Sequence, residues 1–215
     1  MKKFKIQLAL DRMTIDESIK LIKQTKDYVD WIEIGTSIIK DYGMSALREI
    51  RGHFPKSVIV ADMKTCDAGI YECLQAFGAG ANITTVMGFA TNKTIEQSLK
   101  VAAEKHGEVM IDLLGIEDSI RVREIYSLGA RLFCLHVGKD MQKSGEVASY
   151  SLFNLVEGLE NIQVAVAGGI NLETAPELIK AGADLLVVGG YLTNSKFPKE
   201  SAKKLAQLNQ NTFDS

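Results

Sequence analysis

The feature that most constrains the fold of this chain is a short apolar segment, rich in β-branched residues, that recurs along the sequence. Runs of this kind are typical of buried strands. Segments with helical periodicity lie between them, as at 14–26, 91–107, 173–184 and 198–209. The apolar runs are eight in number and cover residues 5–10, 29–35, 57–63, 81–88, 108–115, 131–138, 162–169 and 184–190.

Strands that alternate with helices predict an α/β fold whose parallel strands are joined by helical crossovers. Eight such units favour closure into a (β/α)₈, or TIM, barrel. The alternative is an open, doubly wound sheet, although no G-x-G-x-x-G motif follows the first strand to support a dinucleotide site. No linker-like segment divides the chain, so residues 1–215 are predicted to form a single domain with a frayed polar tail at 209–215.

The composition excludes several classes of protein. The net charge is −2 with 24% charged residues, the sequence pI is about 6.0, and the sequence contains no block of basic residues. These features argue against nucleic acid as a main partner. No apolar run approaches the roughly 18 residues of a membrane span, and the N-terminal segment does not fit a secretory signal. The three cysteines, Cys66, Cys73 and Cys134, form no CxxC pair, which favours reduced thiols and a cytoplasmic protein.

Ionisable residues stand at or near the carboxyl ends of five of the apolar runs. In a barrel these strand ends meet at one mouth, where the active sites of this fold lie. The shared placement is more specific than any single residue and predicts an active site there. The candidate residues are Asp11, Glu33, Asp62, Lys64, Asp112 and His136.

Pairs of glycines end the last two apolar runs, Gly168-Gly169 and Gly189-Gly190. Glycine-rich loops after the seventh and eighth strands of a barrel commonly bind a phosphate through backbone N–H groups. The pairs therefore favour a small phosphorylated substrate, although each pair could also be a simple turn.

The segment ADMKTCDAG, after the third run, concentrates charge. Asp62 and Lys64 are two residues apart, so their side chains point to the same side of a strand, and Asp67 follows in the turn before the next helix. Nearby carboxylates keep a lysine protonated, and a positioned ammonium can stabilise an enolate oxygen or deliver a proton. Together with Asp11 and Glu33 the carboxylates are in excess, and a divalent cation such as Mg²⁺ would balance them.

Each of these residues also has a structural explanation when it is taken alone. Asp11 could cap a helix or form a salt bridge. Glu33 and Asp112 could be half-exposed strand residues. His136 shares a strand face with apolar neighbours and could be a hydrogen-bonded core histidine. Their joint position at one end of the predicted barrel is what favours a functional site.

These motifs together resemble those of a known group of enzymes. ADMKTCDAG is similar to the D-x-K-x-x-D signature of the orotidine-monophosphate-decarboxylase suprafamily. LALD, WIEIGT, DLLGIED, LHVGKDMQ, VAVAGGI and VVGG follow in the order and spacing of the 3-hexulose-6-phosphate synthases, whose close relatives are the 3-keto-L-gulonate-6-phosphate decarboxylases. The resemblance covers about residues 4–208.

The resemblance implies a Mg²⁺-dependent barrel homodimer that stabilises a 1,2-enediolate of a ketose phosphate. It implies that Glu33 and Asp62 hold the metal and that Asp11 and Lys64 contact substrate oxygens. It further implies that Asp67 reaches into the partner subunit's site and that His136 is the base in proton transfer. The glycines implied to offer backbone amides to the phosphate are Gly169, Gly189 and Gly190.

Departures from the decarboxylase pattern favour the synthases. The decarboxylases usually carry glutamate in place of Asp112, HRxRD in place of HVGKD, and arginine in place of Gly190. Lys139 stands at the second arginine and could partly replace it. The activity implied is the joining of formaldehyde to D-ribulose 5-phosphate, which gives D-arabino-hex-3-ulose 6-phosphate in the ribulose monophosphate pathway. The alternatives are decarboxylation of 3-keto-L-gulonate 6-phosphate and a catalytically silent sugar-phosphate-binding barrel.

Overall fold

The computed structural model describes residues 3–211 and contains a closed barrel of eight parallel strands in sequential order. The last strand pairs with the first as well as with the seventh, and this pairing closes the barrel. The predicted TIM barrel is therefore confirmed, and the open sheet is excluded. The strands are β1 (Lys5–Leu10), β2 (Trp31–Ile34), β3 (Val58–Thr65), β4 (Ile83–Met87), β5 (Glu108–Asp112), β6 (Leu132–His136), β7 (Gln163–Ala167) and β8 (Leu185–Val188).

Helices cover the outside of the barrel and connect the strands. None of the helices within residues 3–211 has the length and apolar character that crossing a membrane requires. A 3₁₀ helix, Tyr150–Val156, precedes β7. The α-helices are α1 (Ile15–Thr25), α2 (Thr36–Tyr42), α3 (Met44–His53), α4 (Gly69–Gly78), α5 (Asn92–Glu104), α6 (Ser119–Ser127), α7 (Lys139–Lys143), α8 (Ala175–Ala181), α9 (Gly190–Thr193) and α10 (Pro198–Asn211).

Alternation along the strands sorts their side chains into two cores. Residues such as Ile32 and Ile111 face the helices and join the larger apolar cluster. The residues between them, such as Trp31 and Met110, point into the barrel and form a smaller apolar cluster. Successive strand side chains alternate in direction, so the residue two positions after an inward-facing residue also points into the barrel. On five strands this next inward position, toward the carboxyl end, is polar. These positions are Glu33, Asp62, Thr85, Asp112 and His136.

The pairing of β3 with β4 is irregular at its carboxyl end. Ala61 pairs with Thr84, and the next pair is Thr65 with Val86, so the register shifts between them. Within this irregular segment Lys64 has φ +48°, in the left-handed region. A non-glycine residue held there costs about 1–3 kcal/mol and persists only when its surroundings fix it. The charged segment of β3 is therefore a constrained backbone and not a regular strand end.

Asn209, in α10, links the two ends of the described chain. Its Oδ1 accepts the backbone N–H of Phe4 at 3.1 Å, and its Nδ2 donates to the carbonyl of Phe4 at 3.0 Å. Asn209, where the predicted frayed tail starts, lies in α10, which runs to Asn211, so the fraying of that tail stays a prediction. Residues 212–215 of that predicted tail lie outside the described residues.

Candidate active site

A cleft of about 1280 Å³ opens at the carboxyl ends of the barrel strands. The candidate residues named from the sequence line it together, with the exception of Asp67. The structure thus brings the charged strand ends and the two glycine pairs to the same cleft. The candidates that line it are Asp11, Glu33, Asp62, Lys64, Asp112, His136, Gly168, Gly169, Gly189 and Gly190.

The ammonium of Lys64 lies between two carboxylates. Its Nζ is 3.1 Å from Asp62 Oδ1 and 2.8 Å from Asp112 Oδ2. Burial favours the neutral amine, but the charges of Asp62 and Asp112 outweigh it and raise the pKa of Lys64 above its ordinary value. Lys64 therefore remains charged and has a fixed direction at any working pH.

Asp112 joins Lys64 to the histidine. His136 Nδ1 is 3.0 Å from each carboxylate oxygen of Asp112, and the backbone N–H of Leu114 donates to Oδ1 at 2.9 Å. Burial opposes ionisation of Asp112, but His136 and Lys64 hold its pKa well below the usual range. An ionised carboxylate can only accept, so Nδ1 of His136 carries the hydrogen. In the neutral imidazole, Nε2 is then the atom with the free lone pair.

Asp62 is held from both sides by threonine hydroxyls. Thr36, the first residue of α2, places its hydroxyl 2.8 Å from both Oδ2 and the backbone carbonyl oxygen of Asp62. Thr85, on β4, donates to Oδ1 at 2.9 Å. Because Asp62 is only 7% exposed, these bonds fix the direction of its carboxylate.

Glu33 is buried at the bottom of the cleft, where Gln7 Nε2 donates a hydrogen bond to its Oε2. Burial and the neighbouring charge of Asp62 raise the pKa of Glu33 to about 8. Three carboxylates thus face one ammonium, and the excess negative charge is relieved by a proton on Glu33. Oxygen donors with surplus negative charge are the environment that a hard divalent cation prefers.

The donor set fits Mg²⁺ held by few protein ligands. Within residues 3–211 no group of three or more His, Cys, Asp or Glu side chains is arranged to hold a metal. Two carboxylates, Glu33 and Asp62, remain as candidates, with Lys64 occupying part of the space around Asp62. Mg²⁺ commonly binds through one or two carboxylates and fills its other positions with water and substrate oxygens.

Asp11 lies at the rim of the cleft, beyond the end of β1. Both the hydroxyl and the backbone N–H of Ser37 donate to its Oδ1, and Arg12 Nε is 3.2 Å from its Oδ2. Partial burial opposes ionisation, but these donors lower the pKa of Asp11. Asp11 is thus an ionised acceptor, placed where a substrate hydroxyl can reach it.

The glycine loops after β7 and β8 both line the cleft, and the loop after β7 is packed too closely for side chains at its glycines. Gly168 and Gly169 have φ +115° and +71°, and a Cβ on Gly168 would lie 2.6 Å from the carbonyl oxygen of Val137. Across the cleft, Lys139 Nζ lies 3.9 Å from the position that a Cβ on Gly190 would occupy. The structure therefore places a cation beside the second glycine pair.

Asp67 is exposed in the loop between β3 and α4 and does not line the cleft. The helix that follows it presents three large apolar side chains to solvent. Ile70 is 45% exposed, Tyr71 65% and Leu74 41%. The structure of one subunit thus leaves Asp67 outside its own site, next to an apolar helix face.

Three residues that orient the two candidate metal ligands were not predicted from the sequence: Gln7, Thr36 and Thr85. Gln7 and Thr85 are polar residues at inward positions of otherwise apolar strands. A polar residue within an apolar strand is also the signal that predicts Glu33, so Gln7 and Thr85 could have been predicted in the same way. Thr36 follows a strand and has no comparable signal.

Comparison with known proteins identifies the family. The model described as "Orotidine 5'-phosphate decarboxylase / HUMPS family" matches residues 5–205. The chain belongs to this family. It is 38% identical over 204 residues to a 3-hexulose-6-phosphate synthase of Bacillus subtilis (strain 168), covering 94% of this chain and 97% of that protein.

Solved structures in the family include both synthases and decarboxylases. The 3-hexulose-6-phosphate synthase from Salmonella typhimurium superposes with a TM-score of 0.94 at 32% identity, covering 97% of this chain and 99% of that one. A 3-keto-L-gulonate-6-phosphate decarboxylase from Vibrio cholerae gives a TM-score of 0.82 at 28% identity, covering 98% and 99%. Within the family, this chain is more similar to these synthases than to that decarboxylase.

Proposed function

We propose that this chain catalyses the reaction after which the 3-hexulose-6-phosphate synthases are named, joining formaldehyde to D-ribulose 5-phosphate to give D-arabino-hex-3-ulose 6-phosphate. The observation that carries the proposal is the unit in which His136 and Lys64 both bind the carboxylate of Asp112. It sets a base and a charged donor side by side, as removal of a proton next to a carbonyl requires.

Each group in this unit has a defined part in the reaction. His136 Nε2 takes the proton from C1, the electrons of that C–H bond form the C1–C2 double bond, and the π electrons of the C2 carbonyl move to its oxygen. Asp112, bound at Nδ1, stabilises the imidazolium, while the ammonium of Lys64 stabilises the enediolate oxygen. The C1 carbanion equivalent then attacks formaldehyde. Its new alkoxide recovers the proton from His136, so the reaction neither consumes nor releases a proton.

The excess of carboxylates supports a dependence on Mg²⁺. Glu33 and Asp62 would hold the cation, which would polarise the ketose oxygens and replace the proton that Glu33 otherwise carries. Gln7 orients the carboxylate of Glu33, and Thr85 orients that of Asp62, through hydrogen bonds.

The phosphate of the substrate is proposed to bind at the two glycine pairs. All four glycines line the cleft, where their backbone N–H groups would bind the phosphate, and Lys139 supplies a positive charge beside Gly190. This position of Lys139 favours a role in phosphate binding over a role beside His136.

A second copy of this chain is proposed to cover the exposed face of α4. Asp67 lies next to that face and outside its own cleft, so a partner placed there would bring Asp67 toward the partner's site. Ile70, Tyr71 and Leu74 provide the apolar surface that a homodimer interface needs.

The cysteines support a reducing compartment. All three are free thiols in the structure; Cys73 and Cys134 are buried, and Cys66 is exposed. An exposed free thiol is stable in the cytoplasm, where thiols are kept reduced. We therefore propose a cytoplasmic location.

The test is a comparison of two reactions with purified protein and Mg²⁺. We expect formaldehyde-dependent consumption of ribulose 5-phosphate with a higher kcat/KM than CO₂ release from 3-keto-L-gulonate 6-phosphate. His136→Ala should lower the aldol rate about 10²-fold or more. It should also abolish exchange of the C1 proton of ribulose 5-phosphate with D₂O in the absence of formaldehyde.

The outcomes separate the alternatives. Faster CO₂ release would assign the chain to the decarboxylases. Tight binding of ribulose 5-phosphate without turnover in either assay would indicate a sugar-phosphate-binding barrel.

A further inference from the structure

Thr85 makes two hydrogen bonds whose directions are fixed by chemistry. The backbone N–H of Lys64 donates to its hydroxyl oxygen at 2.9 Å, and that oxygen is also 2.9 Å from Asp62 Oδ1. A backbone N–H can only donate, so the hydroxyl accepts there and its single hydrogen is directed to Asp62. Thr85 is 4% exposed, so water does not compete freely for these bonds.

These bonds complete a closed ring. Asp62 Oδ1 accepts from Thr85 and also from Lys64 Nζ, at 3.1 Å. Lys64 is thus held at both ends, by its backbone N–H through Thr85 and by its ammonium through Asp62. The ring therefore couples the backbone of Lys64 to the position of its ammonium, which Asp112 binds from outside the ring at 2.8 Å.

The irregular register of β3 explains why a side chain is needed here. The pairs between β3 and β4 stop at Ala61 with Thr84 and resume at Thr65 with Val86, so Lys64 has no regular pairing with β4. The hydroxyl of Thr85 receives the N–H that a regular ladder would have bound to a carbonyl. It also holds Lys64 at φ +48°, a conformation that lysine adopts rarely.

We propose that Thr85 is a positioning residue of the reaction, acting through Lys64 and Asp62. Its hydroxyl fixes where the ammonium meets the oxygen that becomes negative, so it acts on the transition state more than on substrate binding. The kinetic part of this inference rests on the proposed function; the structural part does not.

The neighbouring residue Thr84 offers a matched comparison. It is fully buried on the same strand, and its hydroxyl lies 3.4 Å from the carbonyl of Ala61, a weak bond to backbone alone. Alternation turns it away from the cleft, and it does not line it. Thr84→Val therefore removes a buried hydroxyl from β4 without affecting the ring.

The experiment compares Thr85→Val, Thr85→Ser and Thr84→Val with the wild type. In the aldol assay, Thr85→Val should lower kcat about 10-fold to 100-fold and change the KM for ribulose 5-phosphate less than about threefold, because the phosphate contacts remain. Thr85→Ser keeps the hydroxyl and should recover most of the lost kcat. Thr84→Val should retain the wild-type kcat. Thr85→Ala removes the same hydroxyl if the valine variant does not fold.

Crystal structures of the same variants test the inference without any assay. In Thr85→Val, or in Thr85→Ala, we expect Lys64 to leave the left-handed region and its Nζ to move away from Asp112. An unchanged backbone and ammonium position of Lys64 in these variants would overturn the inference. So would a variant kcat equal to that of the wild type, provided that the wild type is active in the aldol assay. If the wild type shows no aldol activity, the proposed function fails, and the position of Lys64 in these structures still decides whether Thr85 holds it.

Discussion

At the scale of single residues, the site is governed by an imbalance of charge. Glu33, Asp62 and Asp112 surround one ammonium, and their burial prevents water from screening them. Because of this imbalance, the pKa values of two carboxyl groups shift in opposite directions. The pKa of Asp112 is lowered by His136 and Lys64, whereas burial and Asp62 raise that of Glu33 to about 8.

The raised pKa of Glu33 predicts how the metal-free protein responds to pH. The folded state binds this proton more tightly than the unfolded state, where the pKa is near the ordinary 4.5. The resulting stabilisation is complete below that value and is lost as pH rises toward about 8. Urea midpoints in EDTA should therefore fall between pH 5 and pH 8, roughly the interval between the two pKa values.

Two comparisons check the origin of that fall. Glu33→Gln should show a smaller decline over the same range, because it has no proton to lose. Mg²⁺ should raise the midpoint of the wild type most at the alkaline end, where Glu33 is ionised. A midpoint that is independent of pH in EDTA would mean that Glu33 is already ionised without a cation.

The position of Lys139 predicts a defect in substrate binding. Lys139→Ala should raise the KM for ribulose 5-phosphate about tenfold or more and leave kcat nearly unchanged, because a phosphate contact is the same before and during the reaction. Lys143→Ala is the matched control, since Lys143 belongs to the same helix and pairs with Asp140.

A second substitution sharpens the test of Lys139. The position of a Cβ on Gly190 has Asn194 Nδ2 at 3.4 Å and Lys139 Nζ at 3.9 Å as its nearest neighbours, so a side chain fits there once the lysine is shortened. Gly190→Arg added to Lys139→Ala should restore a low KM. A kcat defect with a normal KM would instead place Lys139 in the chemistry.

At the scale of elements, the segment from the end of β3 to the start of α4 is proposed to serve two subunits, with Lys64 of β3 in one site and Asp67 of the following loop in the other. Mixing inactive Lys64→Ala and Asp67→Ala and allowing subunit exchange should restore about a quarter of the wild-type activity in a twofold dimer. The reason is that one site of each heterodimer carries neither lesion.

The control for this exchange uses two lesions of the same site. Lys64→Ala mixed with His136→Ala should recover nothing, because every site of that heterodimer lacks one of the two groups. Absence of recovery in the first mixture, after exchange has been verified by mass spectrometry, would place Asp67 in its own subunit's site.

The sequence predicted those parts of the fold and site that depend on local periodicity. Alternation within a strand sets which face a residue occupies, so the position of His136 in its apolar run indicated an inward side chain, and the strand-end position of Glu33 indicated the barrel mouth. The left-handed Lys64 and the contacts of Thr85 could not be placed, because they depend on the register between β3 and β4. The pairing of Asn209 with Phe4 joins residues 205 positions apart, which no local pattern encodes.

At the scale of the whole molecule, a contact between Phe4 and Asn209 joins the two ends of the described part of the chain. Phe4 is 1% exposed, and Asn209 binds both its N–H and its carbonyl. Asn209→Ala should lower the free energy of unfolding by about 1–3 kcal/mol, since it leaves buried backbone groups unpaired.

Urea titration measures this effect, and the aldol rate at low denaturant should be unchanged because the site lies at the opposite end of the strands from Phe4. Gln207→Ala, at an exposed position of the same helix, is the control and should retain the wild-type midpoint. A change of m value together with the midpoint would indicate that more than this contact had been lost.

The two sides of the barrel mouth differ in what they carry. The groups proposed for chemistry stand on β2, β3, β5 and β6, whereas the glycine pairs follow β7 and β8. In the proposed binding mode, the barrel would fix the distance from the reacting carbon to the phosphate and would thereby select the length of the sugar. Ketose phosphates with one carbon more or fewer would be held with the wrong carbon at His136. Redesign of the loops after β7 and β8 alone would then change the accepted chain length while the same proton transfer continues.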